Sequence, residues 1–367
     1  MTAPGPVRPG PVGGPAAGSA EGGVSVEVGW DGARVASARV AFERPRGEAL
    51  LAGRTPAEAL ALVPRVFALC GHAQRAAGRA ALAAAGAELP ADPREGERVL
   101  LEAAREHLWR LLQDWPRALG LELDPAPFAA WGRRLGAALR DGLPPEGLPE
   151  LAAFVEEEVL GGPLLALASA EDALAWAERG ASHAARLARA VRDEPAPALA
   201  TAWLEPGAPR DAPSGVAAQT GPLARWRRQP AVAGLLAGGG RTIFAHLLAR
   251  ALDLSDAAAR LAAPAREPGA AAEATGPGAG AARVETARGT LLHRCALRPD
   301  GRIGAYEVLP PTAWNFHARG PFAGSVVGLA AGAEEELRAR IGRWALAFDP
   351  CVPWSLTVHR TSRPAGA

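Results

Sequence analysis

The chain has 367 residues, and its 40 basic and 39 acidic side chains nearly cancel to a net charge of +1 at pH 7, so charge gives it no reason to bind nucleic acid or an anionic membrane. A chain this long buries a sizeable core without staples, and three widely spaced cysteines, Cys70, Cys295 and Cys351, indicate a reducing compartment rather than a disulfide framework. No apolar run approaches the roughly 18 to 20 residues that span a bilayer, and the start from Met1 to Gly23 lacks the basic and apolar parts of a secretory leader, so a soluble, cytoplasmic protein is expected.

In chain order, residues 1–23 carry almost nothing large and apolar to bury and read as a disordered tail. Val24-Ser25-Val26-Glu27-Val28 alternates, Asp31-Gly32 marks a turn, and Arg34 to Val40 alternates again, which predicts a β-hairpin. Thr55-Pro56-Ala57-Glu58 supplies an N-cap, a proline at the first helical position and a glutamate at the third. Amphipathic helices are expected at Pro56 to Leu69, Cys70 to Ala85, Glu95 to Trp115, Pro127 to Leu139, Leu148 to Val159 and Ala170 to Arg192. A Pro/Gly/Asp loop follows at 205–215, then a helix over Thr242 to Ala262 and a flexible Pro/Gly/Ala linker over 264–282. Thr286 to Arg298 and Arg302 to Pro310 flank Asp300-Gly301 as a second hairpin, and Glu334 to Trp344 is the last helix. The sum is an α+β chain, mainly α, a helical bundle with small peripheral β-hairpins that forms one domain from residue 24 to residue 367.

Chemistry concentrates in two places. Phe348-Asp349-Pro350-Cys351 is followed by His359, and a thiol with an imidazole nearby signals a metal site or a nucleophile. Cys70 closes the segment that runs from Gly53-Arg54-Thr55-Pro56 to Arg65-Val66-Phe67-Ala68-Leu69-Cys70. Thiols so far apart in sequence meet only through the fold. Cys295, in an expected strand with no motif, reads as a small buried hydrophobe.

Taken in order, these segments resemble the large subunit of nickel-iron hydrogenases. Glu48 through Gly53-Arg54-Thr55-Pro56 to Cys70 is similar to that family's stretch from a glutamate through Gly-Arg-x-Pro to Arg-x-Cys-Gly-x-Cys, with Cys70 on the second cysteine and Phe67 on the first. Gly221-Pro222-Leu223-Ala224-Arg225 looks like its Gly-x-Leu-Ala-Arg segment, Glu285 to His293 like its Glu-Ala-Pro-Arg-Gly-x-Leu-x-His strand, and Pro311 to Asn315 like its Pro-Ser/Thr-Thr-Trp-Asn loop. Asp349-Pro350-Cys351 looks like the start of Asp-Pro-Cys-x-x-Cys-x-x-His, and the resemblance implies the large-subunit fold.

The departures bear on function. The hydrogenases hold nickel with four thiolates, two of which bridge to an iron carrying carbonyl and cyanide; here Phe67 and Trp354 stand where one cysteine of each pair is missing. Gln74 replaces a histidine, and His359 is displaced from the expected spacing. Two thiolates do not make a soft four-sulfur nickel site, so no nickel is expected. They do suffice for an iron that brings its own strong-field ligands. This pattern, with Trp314-Asn315-Phe316-His317, resembles the HupK (HoxV) type of hydrogenase maturation protein, which implies a non-catalytic scaffold holding an Fe(CN)2(CO) unit transiently.

The resemblance assigns Cys70 and Cys351 to the iron, Arg288 and Thr312 to the two cyanides, and Glu48 to the position of the hydrogenases' proton-relaying glutamate. Arg288 would also offset the minus-two charge of two thiolates on a neutral iron dicyanide, while Phe67 and Trp354 would fill the volume left by nickel. The implied partners are a HypC/HupF-type carrier, a HypD-type assembly protein and the hydrogenase large-subunit precursor. Two other readings stay open: a metal-free interaction subunit, as in the hydrogenase-like subunit of respiratory complex I, and a Cys351–His359 nucleophile and base.

Overall fold

The computed structural model describes residues 22–45, 47–124, 126–141, 147–197, 201–204, 217–263 and 269–361. The expected tail, apart from Gly22 and Gly23, and the expected loop at 205–215 lie outside them. The first hairpin forms as read: β1 (Gly23–Trp30) pairs antiparallel with β2 (Val35–Glu43), and the alternation buries Val24, Val26 and Val28 on one face. A 3-10 turn at Gly47–Leu51 leads to α1 (Pro56–Val66), where Thr55 and Glu58 make the expected reciprocal cap.

A second 3-10 turn, Ala68–Cys70, opens α2 (Gly71–Ala84). α3 (Glu95–Trp109) continues through a π-helical turn at Arg110–Asp114 into α4 (Trp115–Leu119). α5 (Ala126–Asp141) and α6 (Gly147–Ala153) follow. The helix expected over Ala170 to Arg192 is two helices, α7 (Ala170–Arg179) and α8 (His183–Ala190), because Gly180 turns left-handed at φ 55° and Ser182 caps a new helix by accepting from Ala185 N–H. Short β3 (Ala202–Trp203) and β4 (Ala218–Gln219) precede α9 (Pro222–Trp226), α10 (Pro230–Gly239) and α11 (Ile243–Ala262). α11 is buried on every side from Ile243 to Leu254 and is the axis of the helical core, so its buried His246, Arg250 and Asp253 all need polar partners.

The linker expected at 264–282 requires correction. Residues 264–268 lie outside the described set, but β5 (Ala271–Gly276) and β6 (Ala279–Thr286) join β7 (Gly289–Leu297) and β8 (Ile303–Leu309) in an antiparallel meander. In β6 a small residue serves close packing rather than flexibility. A Cβ on Gly280 would strike the Ala81 carbonyl oxygen and stand 2.6 Å from Ala85 N, so glycine lets β6 lie directly on α2.

α12 (Pro311–Asn315), α13 (Pro321–Val326) and α14 (Glu334–Phe348) lead to an unexpected strand, β9 (Trp354–Arg360). β9 runs parallel to β1, from Val24↔Trp354 to Trp30↔Arg360, and completes a sheet in the order β2-β1-β9. Strands from opposite ends of the sequence therefore share hydrogen bonds. No helix among the described residues is long and apolar enough to cross a membrane.

The Gly280 contact makes a direct prediction. Gly280→Val should lower the unfolding free energy by about 1–3 kcal/mol through overpacking against α2. Gly276→Val, where an added Cβ meets nothing within 4 Å, should stay within about 0.5 kcal/mol of wild type. Urea unfolding of the two variants checks this, and equal effects would restore the linker reading.

Candidate metal centre

Cys70 ends the 3-10 turn that joins α1 to α2, and Cys351 sits in the turn between α14 and β9. The fold brings both half-buried thiols to the wall of one cavity of about 520 Å³, which Arg44, Phe67, Gln74 and Pro310 also line. Each sulfur receives one side-chain hydrogen bond. Gln74 Nε2 donates to Cys70 Sγ at 3.4 Å; Thr312 Oγ1 donates to Cys351 Sγ at 3.1 Å and accepts the Cys351 N–H at 3.0 Å. Burial pushes the Cys70 thiol up to about 12, with the neighbouring Cys351 and then Glu102 adding to the shift. Among the described residues no group of three or more His, Cys, Asp or Glu could hold a metal ion.

Arg288 occupies the tight turn between β6 and β7, is 4% exposed, and lies within electrostatic reach of both sulfurs. It is tied on two sides: Nε donates to Asp349 Oδ1 at 3.3 Å and a terminal nitrogen to Glu106 Oε2 at 2.6 Å. Burial opposes its charge, but Asp349 and Glu106 outweigh that and hold the proton more firmly than usual.

Asp349, at the C-terminal end of α14, is 2% exposed and is the sole non-glycine at positive φ, 55°, among the described residues. Arg110 from the π turn reaches its Oδ1 at 2.7 Å, and Arg250 from α11 reaches Oδ2 at 3.3 Å. Burial alone would raise its pKa, yet Arg288, Arg110 and Arg250 together hold it well below the ordinary carboxylate range.

The other residues singled out in the sequence divide clearly. Glu48 stands one step behind the cavity wall: its Oε1 accepts from Arg44 at 2.6 Å, while its buried Oε2 has no hydrogen-bond partner among the described residues. Phe67 lines the cavity under the Arg44 guanidinium, 5.5 Å from ring centre. Trp354 does not line it. β9 carries its ring to the main core and to a second cavity beside Arg110 and Asp349, because pairing with Val24 fixes the strand's register. His359 is likewise no partner for Cys351, since it is exposed and β9 takes it about 17 Å along the sheet from Trp354. The Cys351–His359 nucleophile is thereby excluded.

Arg225 belongs to a separate cluster, bonded to Asp253 at 2.5 Å and Glu285 at 2.7 Å, and Cys295 packs in a small apolar cluster with Leu82 and Ile303. The sequence reading did not anticipate Arg44, Glu106 or Glu102. Glu102 on α3 accepts the N–H groups of His72 and Ala73 at 3.0 Å each, capping α2 just after Cys70; burial, helped by Glu106, pushes its carboxyl up to about 7.

No protein-family model matches the chain. It is 34% identical to the hydrogenase expression/formation protein HupK of Rhizobium leguminosarum bv. viciae, over 92% of this chain and 97% of that protein. To HupV of Azotobacter chroococcum mcd 1 it is 33% identical over 91% and 98%, and to HoxV of Cupriavidus necator 30% over 86% and 92%. The chain belongs to this family of hydrogenase expression/formation proteins. Among solved structures, the family fold seen here is similar to an NAD+-reducing NiFe-hydrogenase in its H2-reduced state, with TM-score 0.53 at 17% identity over 89% of this chain and 94% of that one. The reduced Ni-Fe-Se hydrogenase of Desulfomicrobium baculatum gives a TM-score of 0.51 at 15% identity over 89% and 96%. The mainly α, large-subunit-like fold expected from the motifs is therefore the observed one.

Asp349→Asn leaves three guanidinium groups around a neutral side chain and should cost about 3–5 kcal/mol. The pKa of Asp349 is depressed on folding, so its stabilisation is present above the ordinary carboxylate pKa, about 4, and is lost as pH falls toward the lower folded-state value. Wild-type stability should therefore fall through acid pH by a component that Asp349→Asn lacks. Chemical denaturation at several pH values measures this; parallel curves would remove Asp349 from its place in the account.

Proposed function

We propose that the protein is a non-catalytic, cytoplasmic scaffold in nickel-iron hydrogenase maturation. It holds an Fe(CN)2(CO) unit as cargo between Cys70 and Cys351 before that unit passes to the hydrogenase large-subunit precursor. The observation that carries this reading is the shared cavity, whose walls include one thiol from each distant motif. Two protein donors fall short of what a bare ion requires, but they match an iron that already carries three ligands.

The surroundings support the same cargo. Iron(II) with two cyanides is neutral, so two thiolates leave the complex at minus two, and the buried Arg288 supplies nearby positive charge. Its rigid attachment to Asp349 and Glu106 keeps that charge in place. The Thr312 hydroxyl proton, now directed at Cys351 Sγ, is a donor that a cyanide nitrogen can take; a buried acceptor left unpaired costs about 1–3 kcal/mol. Glu48, through Arg44, sets the charge at the cavity wall. Delivery and removal of the cargo require a HypC/HupF-type carrier and a HypD-type assembly protein to reach the same opening.

Two measurements test the reading. Protein purified without oxygen from a cell that matures nickel-iron hydrogenase should contain iron and show infrared bands of bound carbonyl and cyanide, and both should vanish in Cys70→Ala and in Cys351→Ala. A wild-type protein free of such bands in the presence of its partners supports the metal-free interaction subunit instead. Because Cys70 is protonated until metal binds, with its thiol near 12, loading releases a proton. Resistance of the iron to a chelator should therefore rise by up to about tenfold per pH unit between mildly acidic and mildly basic pH; a flat profile would contradict thiolate ligation by Cys70.

A further inference from the structure

Behind Cys70 a line of hydrogen-bonded side chains runs from the cavity wall into the four-stranded sheet, and holding cargo does not by itself explain it. Cys70, Gln74 and Gly78 follow one another at four-residue intervals, along the stripe of α2 that packs on β7 and β8. Gln74 Nε2 donates to Cys70 Sγ, Gln74 Oε1 lies 2.7 Å from His293 Nε2, and His293 Nδ1 lies 2.8 Å from Tyr306 Oη. Gln74 is 3% exposed and His293 is fully buried. A Cβ on Gly78 would stand 2.9 Å from Tyr306 Oη, so glycine opens the space through which the tyrosine, the only one in the chain, reaches the histidine.

The hydrogen bonds have one direction. Burial, aided by Arg44, holds His293 neutral with a pKa near 3, so it has a single N–H. With the Gln74 amide nitrogen on sulfur, its oxygen must accept, and the His293 proton resides on Nε2. Nδ1 then accepts from the Tyr306 hydroxyl. Every donor points toward Cys70. The buried Gln74 and His293 and the half-buried Tyr306 are costlier than apolar side chains of the same shape unless each is satisfied, and their common end point is the sulfur.

We propose that Gln74, held in place by His293 and Tyr306, is a positioning residue that aims the Cys70 sulfur into the cavity and weakens its bond to the cargo iron, so that the cargo can leave. This rests on the two-thiol scaffold reading. A sulfur that accepts an N–H bond donates less charge to its metal, which reduces back-donation from iron into carbonyl and raises the C–O stretching frequency. Cys351 is held differently, by a hydroxyl that also anchors its backbone, so the two thiols are unequal.

The test uses the full chain, loaded in a cell that makes the iron unit. Gln74→Leu should move the carbonyl band to lower frequency and slow iron release to a chelator by about tenfold, the equivalent of one hydrogen bond to a charged group. Tyr306→Phe, which keeps the shape and removes only the far donor, should shift both in the same direction by less, and it carries the test if Gln74→Leu fails to fold. Nitrogen-15 NMR of the unloaded protein should show His293 neutral with its proton on Nε2. Bands present in wild type but unmoved in both variants, or a His293 proton on Nδ1, overturn this inference alone. Wild-type protein without carbonyl bands overturns the scaffold reading and takes this inference with it.

Discussion

Asp349 carries one carboxylate into the interior, and three guanidinium groups close on it. They come from the π turn after α3, from the axial helix α11 and from the β6–β7 turn, so a single charge joins the helical core to the sheet at the place where α14 ends. Cys351 lies two residues farther on. Buried ion clusters of this kind add little net stability relative to an apolar core, but they are intolerant of rearrangement. The left-handed backbone at Asp349 is a local strain that the three contacts hold in place. The position of the second thiol follows from that electrostatic knot and from the pairing of β9 with β1 that continues it.

The two thiols reach one cavity from different kinds of structure. Cys70 rides the corner between two helices, with Glu102 capping the helix that follows it; Cys351 rides a turn locked by Asp349 before it and a strand after it. Each accepts one hydrogen bond from a buried side chain. Those bonds orient both thiols at the cavity wall.

Much of the fold was legible. The hairpin of β1 and β2, the Thr55–Glu58 cap, the long α11 and the β7–β8 hairpin follow from alternation, helical periodicity and turn residues. The strands at 271–286 were hidden because their Ala and Gly residues compositionally suggest a linker, although Gly280 is small in order to let β6 approach α2. β9 does alternate, with Trp354, Leu356 and Val358 on one face, but its partner β1 is at the other end of the chain and no local turn announces it. The split of α7 from α8 turned on Gly180 and Ser182, which a periodic count over the whole segment overrides.

At the site, Cys70, Cys351, Arg288 and Thr312 were found from ordered motifs, and the structure gathers them; Trp354 and His359 are carried elsewhere by the strand that the motif reading did not foresee. Arg44, Glu106 and the Gln74–His293–Tyr306 line depend on contacts between segments far apart in sequence, which no spacing rule reports. The central claim is that both thiols bind one iron. Iron X-ray absorption spectroscopy on the loaded protein tests it most directly: the account predicts two sulfur neighbours per iron alongside short bonds to carbon. An iron with no sulfur neighbour, or with nitrogen and oxygen ligands only, would contradict it.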